Sequence, residues 1–188
     1  MFIHKLLDRP LDTIYVNQEQ SEKPAASFSL TQESIRRAFS SKQRQSRYTL
    51  KYHDLRIMLL SGKHTGRLEV QNLQGPQDEP LAVTSLERTL IDITVRPAYA
   101  GGVKNVSRAF MTAKDRVSTK RMLKTLAEFA YAYPYHQALG FYMDRAGFPK
   151  ADLEHLRSLG LRFDFYLAHG LRKSVYSRRW RLFHPEEL

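Results

Sequence analysis

Val83-Thr84-Ser85-Leu86-Glu87-Arg88-Thr89-Leu90-Ile91-Asp92 is the stretch where the periodicity of the chain changes. Before it, apolar residues form short runs or alternate with polar ones, as half-buried strands require; from Leu86 onward, Leu86, Leu90 and Ile93 recur at helical spacing. Thr84 with Glu87 three residues on forms a candidate capping box, in which hydroxyl and carboxylate each satisfy an exposed amide at a helix start. Pro97 bounds that helix, because it lacks an amide hydrogen and disfavours helix in the residue before it.

Backward from Thr84 the sequence predicts a short strand at Leu81-Ala82-Val83, a turn at Gly75-Pro76-Gln77-Asp78-Glu79-Pro80, and alternation at Leu68 and Val70. Ser61-Gly62-Lys63-His64-Thr65-Gly66 is a turn by composition, expected as a tight hairpin. Earlier come the apolar run Ile57-Met58-Leu59-Leu60, the alternating Leu50, Tyr52 and Asp54, and a basic, serine-rich loop from Ser40 to Arg47. Thr31, preceded by Leu30, can cap a helix from Gln32 to Phe39 whose Ile35, Ala38 and Phe39 share a face. Asn17 to Ala26 has the composition of a surface loop, Thr13-Ile14-Tyr15-Val16 that of a strand, and Asp8-Arg9-Pro10 closes a short apolar opening.

Forward from Pro97, Gly101-Gly102 breaks the chain, and Val103, Val106, Ala109, Phe110 and Ala113 are spaced for a second helix of the block. Ser118 or Thr119 caps a third carrying Met122, Leu123, Leu126, Phe129 and Ala130. Pro134 opens a fourth with Ala138, Leu139, Tyr142, Met143 and Ala146 inward, and Gly147 stops it. Leu161, Phe163, Phe165 and Leu167 then alternate, and Trp180 and Leu182 follow in the same manner. The expectation is one domain over residues 1–188, of α/β or α+β class. It combines a mixed sheet, from the N-terminal half and the last strands, with a block of about four helices.

Composition narrows the chemistry. The 188 residues hold 30 Lys and Arg against 19 Asp and Glu, a formal net charge of +11, and 19 of the bases are arginine, the residue suited to bidentate phosphate contacts. Cysteine is absent, which excludes disulfides, a thiol nucleophile and cysteine-ligated metal. No run of 18 apolar residues and no signal-peptide pattern is present, so a cytoplasmic protein without membrane contact is expected.

The seven histidines His4, His53, His64, His136, His155, His169 and His184 show no metal-ligand spacing, and no metal or other cofactor is expected. Ser61 to Gly66 lacks the full spacing of a phosphate-binding loop and precedes an expected strand rather than a helix. Asp54, Glu69, Asp92 and Asp164 are the acids a metal-dependent nuclease would use, but no spacing unites them; Asp164 can instead pair with an arginine. No catalytic residue is assigned.

Bases are the stronger signal. From Thr31 to Val70, Arg36, Arg37, Lys42, Arg44, Arg47, Lys51, Arg56, Lys63 and Arg67 outnumber Glu33, Asp54 and Glu69. A second group, Arg172, Lys173, Arg178, Arg179 and Arg181, has Tyr176 and Trp180 interleaved and no acid between. Positive groups beside amphipathic rings suit phosphate-backbone contact, and Arg36, Arg37, Lys42, Arg44, Arg47, Arg172, Lys173, Arg178, Arg179 and Arg181 are the candidate nucleic-acid contacts. Arg88 is expected to pair with Glu87, Asp92 or a neighbouring carboxylate and to fix packing. The aromatic group around Pro134-Tyr135-His136-Gln137 and Gly140-Phe141-Tyr142 is expected in the core, with a protein interface as the alternative.

Glu87-Arg88-Thr89-Leu90-Ile91-Asp92 after a strand ending in a small polar residue, then Arg96-Pro97 and Gly101-Gly102-Val103, resembles the AbiEi-type antitoxins. These are transcriptional regulators of bacterial abortive-infection, type IV toxin–antitoxin systems. Leu139-Gly140-Phe141-Tyr142 is similar to a later helix of that family, Trp180-Arg181-Leu182 with Pro185-Glu186 to its terminal strand, and Ile14-Tyr15-Val16 to its opening strand. Thr84, Glu87, Arg88, Asp92, Gly101, Gly102 and Gly140 are the motif positions. The resemblance implies a non-catalytic C-terminal antitoxin domain acting through DNA-backbone or protein contact. In that family a winged helix-turn-helix binds operator DNA and the cognate toxin is nucleotidyltransferase-like. Only about a dozen residues precede the first expected strand, so the chain is expected to lack the winged helix. The rival classes are a metal-dependent defence nuclease, which needs three of the four acids to converge, and a purely protein-binding module.

Overall fold

The computed structural model describes residues 1–7, 11–22, 29–75 and 77–188; Asp8-Arg9-Pro10, Pro76 and the later part of the expected loop from Asn17 to Ala26 lie outside them. The order is β1 (Thr13–Glu19), α1 (Gln32–Ser40), β2 (Thr49–Tyr52), β3 (Leu55–Gly62), β4 (Val70–Gln74), β5 (Pro80–Thr84), α2 (Leu86–Val95), a single 3-10 turn (Pro97–Ala100), α3 (Val103–Ala113), α4 (Thr119–Phe129), α5 (Tyr135–Arg145), α6 (Lys150–Ser158), β6 (Phe165–Tyr166), β7 (Ser174–Ser177) and β8 (Leu182–Pro185).

The class is mixed α and β, with N-terminal and C-terminal strands forming sheets packed against a cluster of helices. The strands make three separate sheets, ordered β1-β3-β2, β4-β5 and β6-β8-β7, so the late strands do not rejoin the first sheet. Ser61 to Gly66 is accordingly no hairpin: β3 and β4 belong to different sheets, and the chain between them is bonded to Arg88 of α2 and to the Phe129 carbonyl at the end of α4. β1 also runs through Asn17 to Glu19, residues expected in a loop.

The helical block holds five helices rather than four. The added α6 presents Leu153 and Leu156 inward, three residues apart on a helix that Pro149 opens. Buried at its centre are Leu90 and Ile91 of α2, Val106 and Phe110 of α3, Met122 of α4, and Leu139, Tyr142 and Met143 of α5. The phenol of Tyr142 stacks on Phe110, and burial pushes its pKa up. No helix among the described residues is long and apolar enough to cross a membrane.

Local chemistry explains the helix starts. Ser85, not Thr84, is the N-cap of α2: its hydroxyl accepts from the amide of Arg88 at 3.2 Å, while Thr84 ends β5 with its hydroxyl 2.7 Å from that of Thr89. Glu87 does not close the expected capping box; its Oε1 accepts from the Ser118 amide at 2.9 Å and so serves the start of α4. Thr31 does close a box on α1, with Ser34 as its partner. Gly101 and Gly102 both have positive φ, 77° and 102°, where glycine alone is unstrained. A Cβ on Gly140 would lie 2.1 Å from the Trp180 ring, so the bare backbone of α5 is what admits that indole.

Candidate nucleic-acid interface

Two groups of bases far apart in sequence meet because α1 is fastened to the C-terminal sheet. Gln32 and Asp164 exchange hydrogen bonds, side-chain amide to carbonyl and backbone amide to side-chain oxygen, at 2.8 Å each. At the other end of α1 the Gly170 amide donates to the Phe39 carbonyl at 2.8 Å, and His169 bonds the Ala38 carbonyl at 3.0 Å. Phe39 between them packs on Phe165, Tyr166 and His169. The apolar face of α1 (Ile35, Phe39) is thereby buried, and Arg36 and Arg37 are left exposed beside the sheet.

Asp164 anchors one end of the resulting strip. Its Oδ1 accepts from the Tyr176 hydroxyl at 2.6 Å and from the Arg181 guanidinium at 2.9 and 3.0 Å, and Arg36 adds its charge nearby. The Tyr176 hydrogen bond foremost, then the Arg181 contacts and the Arg36 charge, hold the Asp164 carboxyl below its ordinary range against the opposing effect of burial. Arg179 pairs with Asp144 at 2.9 Å, and the other oxygen of that carboxylate accepts from the Trp180 indole at 2.9 Å. Arg179 and Arg181 are thus oriented by acids, whereas Arg178 stands exposed at the turn before β8.

Arg172 and Lys173 lie at the far end of the β7–β8 hairpin, since Ser174 pairs with Pro185 and Ser177 with Leu182. The five C-terminal bases therefore divide between two ends rather than forming one cluster. Lys42 joins the far end through its backbone, against which Gly170 is closely packed. Arg44 and Arg47 sit further along the same loop, which is held by Gln43 to the Val95 carbonyl (3.1 Å), Arg96 to the Arg44 carbonyl (3.2 Å) and Tyr99 to the Ser46 amide (3.3 Å). Among the described residues, none of Arg36, Arg37, Lys42, Arg44, Arg47, Arg172, Lys173 or Arg178 is in an ion pair. Fixed backbone with unpaired cationic side chains is the arrangement that phosphate contact needs, because ordering the scaffold is then complete before a ligand arrives.

The motif residues Glu87, Arg88 and Asp92 lie elsewhere, the first two buried and Asp92 only partly so. Arg88 is 5% exposed. Its guanidinium lies over the Phe129 ring, 3.5 Å from Asp92 and 3.8 Å from Glu19, and donates to the Leu68 carbonyl and the Thr65 hydroxyl. Arg67 and Glu69, on either side of Leu68, both adopt left-handed backbone at φ 58° and 55°, so Arg88 and Glu19 fasten a strained crossover. Glu19 accepts from the Thr65 hydroxyl and amide and from the Arg67 amide; burial pushes its pKa up, but these bonds and the Arg88 charge outweigh that and hold it at about 2. Burial pushes the Asp92 carboxyl upward against the pull of Arg88, a push tempered by the 40% of its side chain still open to water. Glu87 faces Arg121 at 3.8 Å, and Arg121 also pairs closely with Glu69.

Glu19, Thr65, Gln32 and Arg121 carry no local signal in the sequence: each partner is between 23 and 132 residues away. The four acids of the nuclease alternative are dispersed, with Glu69 on Arg121, Asp92 on Arg88, Asp164 on Arg181 and Asp54 exposed between β2 and β3. Among the described residues no three His, Asp or Glu side chains are grouped to hold a metal ion. The chain matches no model of a known protein family, and no curated protein matches it.

Proposed function

We propose that this chain is a non-catalytic regulatory domain that engages nucleic acid through its phosphates, as its resemblance to AbiEi-type antitoxins implies. The observation that carries the reading is the basic strip along α1, with Arg36, Arg178 and Arg181 at one end and Lys42, Arg172 and Lys173 at the other. The nine residues of α1 span about 13 Å, the axial rise of roughly four nucleotides of one strand. The contact in this reading is to backbone, and toxin neutralisation or support of repression comes from holding DNA or a bound protein in place. The test is binding of a labelled duplex from upstream of the coding sequence against a scrambled duplex. Equal binding of both, lost on adding salt, is the expected result. No binding of either at low salt would remove the nucleic-acid role.

A further inference from the structure

Among the described residues, nothing is packed on one side of the first sheet. In its register Leu50, Ile57 and Ile14 stand side by side, as do Leu59 and Val16, and Tyr52 with Leu55; Tyr48 continues the β2 alternation on that side. Tyr48 is 77% exposed, Tyr52 62% and Leu50 56%, and Ile14 and Val16 are each nearly half exposed. The opposite side carries Tyr15 and Met58, with Tyr15 against Tyr99. Lys51 and Arg56 pair with each other on that same opposite side, so the open side bears no charge among its paired strand residues.

We infer that this face is the contact between two copies of the chain. Its exposed apolar side chains amount to roughly 700 Å², above the few hundred that a monomer's surface ordinarily carries. Two copies face to face would cover about 1,400 Å², within the range of specific interfaces. Sheets pack in this way about 10 Å apart, side chains interdigitating. A two-fold contact must also be complementary to itself, and an uncharged apolar face meets that condition. The bases of the α1 strip lie on other elements, where salt screens repulsion between copies.

Sedimentation velocity over a range of concentrations, at about 0.15 M salt, reads this directly. The unaltered chain sediments with about twice its 21.9 kDa mass. Val16→Lys with Leu50→Lys gives a monomer of unchanged circular dichroism and urea midpoint, since both side chains are exposed in the single chain. A chain that stays monomeric throughout, a dimer that survives the double lysine variant, or open-ended association beyond two copies would each overturn the inference; a monomer whose open face instead takes another protein or nucleic acid does so as well. The inference is independent of the phosphate contact. The double lysine variant still binds duplex if only self-association has been removed.

Discussion

The two three-stranded sheets have the same topology and opposite fates. In each, the last strand is central, the first runs parallel to it and the second antiparallel: β1-β3-β2 and β6-β8-β7. The C-terminal sheet is closed at its root on the side of Phe165 and Leu182, both fully buried, with Trp180 seated on Gly140 and the Gln137 amide bonded to the carbonyls of Phe163, Trp180 and Arg181. The N-terminal sheet buries only Met58 among its strand residues and leaves two tyrosines and several aliphatic side chains in water. Strand order therefore does not decide burial. What decides it is whether a helix brings a matching face: α1 and α5 do so for the late strands, and nothing described does so for the early ones.

Exchanging large aromatics sharpens this contrast most. Trp180→Ala is expected to cost about 3–5 kcal/mol, because it removes a fully buried indole and leaves a void beside Gly140. Tyr48→Ala should change stability by no more than about 0.5 kcal/mol, since its ring is mostly in solvent. Urea unfolding of both in dilute solution measures the difference; comparable losses would break the comparison. The buried network comes next. Arg88→Ala strands Glu19 and Asp92 and frees the crossover at Leu68, a loss of about 3 kcal/mol. An unchanged midpoint would show that Arg88 is not what holds the first sheet to the helices.

A smaller effect is acid sensitivity at the same place. The Glu19 carboxyl is lowered from 4.5 to about 2 on folding, so its contribution is fully present above pH 4.5 and is lost as pH falls toward 2. Glu19→Gln should flatten that part of the stability–pH curve. Asp92, shifted the other way, binds its proton more tightly in the folded chain and so opposes this trend slightly. A variant that keeps the full acid slope would place the responsible group elsewhere.

Five of the six helices were legible in the sequence because their information is local; α6 was missed, its nine residues turning only Leu153 and Leu156 inward. Thr31, Ser118 and Pro134 mark starts, and Leu90, Phe110, Met122 and Leu139 repeat at helical spacing. The assignment of the α2 cap to Thr84 missed by one residue: two adjacent hydroxyls compete there, and only the backbone turn selects Ser85. Sheet membership was not legible, because alternation at Leu68–Val70 or Phe163–Phe165 says which residues share a side but not which strand they meet. The Ser61 to Gly66 segment had the composition of a hairpin turn; its attachment to Glu19, Arg88 and the Phe129 carbonyl depends on residues 20 or more positions away. Of the candidate interface, the identities of the bases were visible and their grouping was not, since Gln32–Asp164 joins residues 132 apart.

The most direct test of the phosphate-binding strip is the salt dependence of duplex affinity, measured by fluorescence anisotropy for the unaltered chain and for Arg36→Ala, Arg37→Ala, Lys42→Ala and Lys173→Ala combined. Loss of four phosphate contacts predicts that the slope of log affinity against log salt becomes shallower by about 3.6 in the combined variant, the remaining bases of the surface carrying what is left. These exposed side chains can be removed without loss of the fold, so the urea midpoint should stay where it is. A slope unchanged by the four substitutions, or no affinity even at low salt, would contradict the assignment of this surface to nucleic acid.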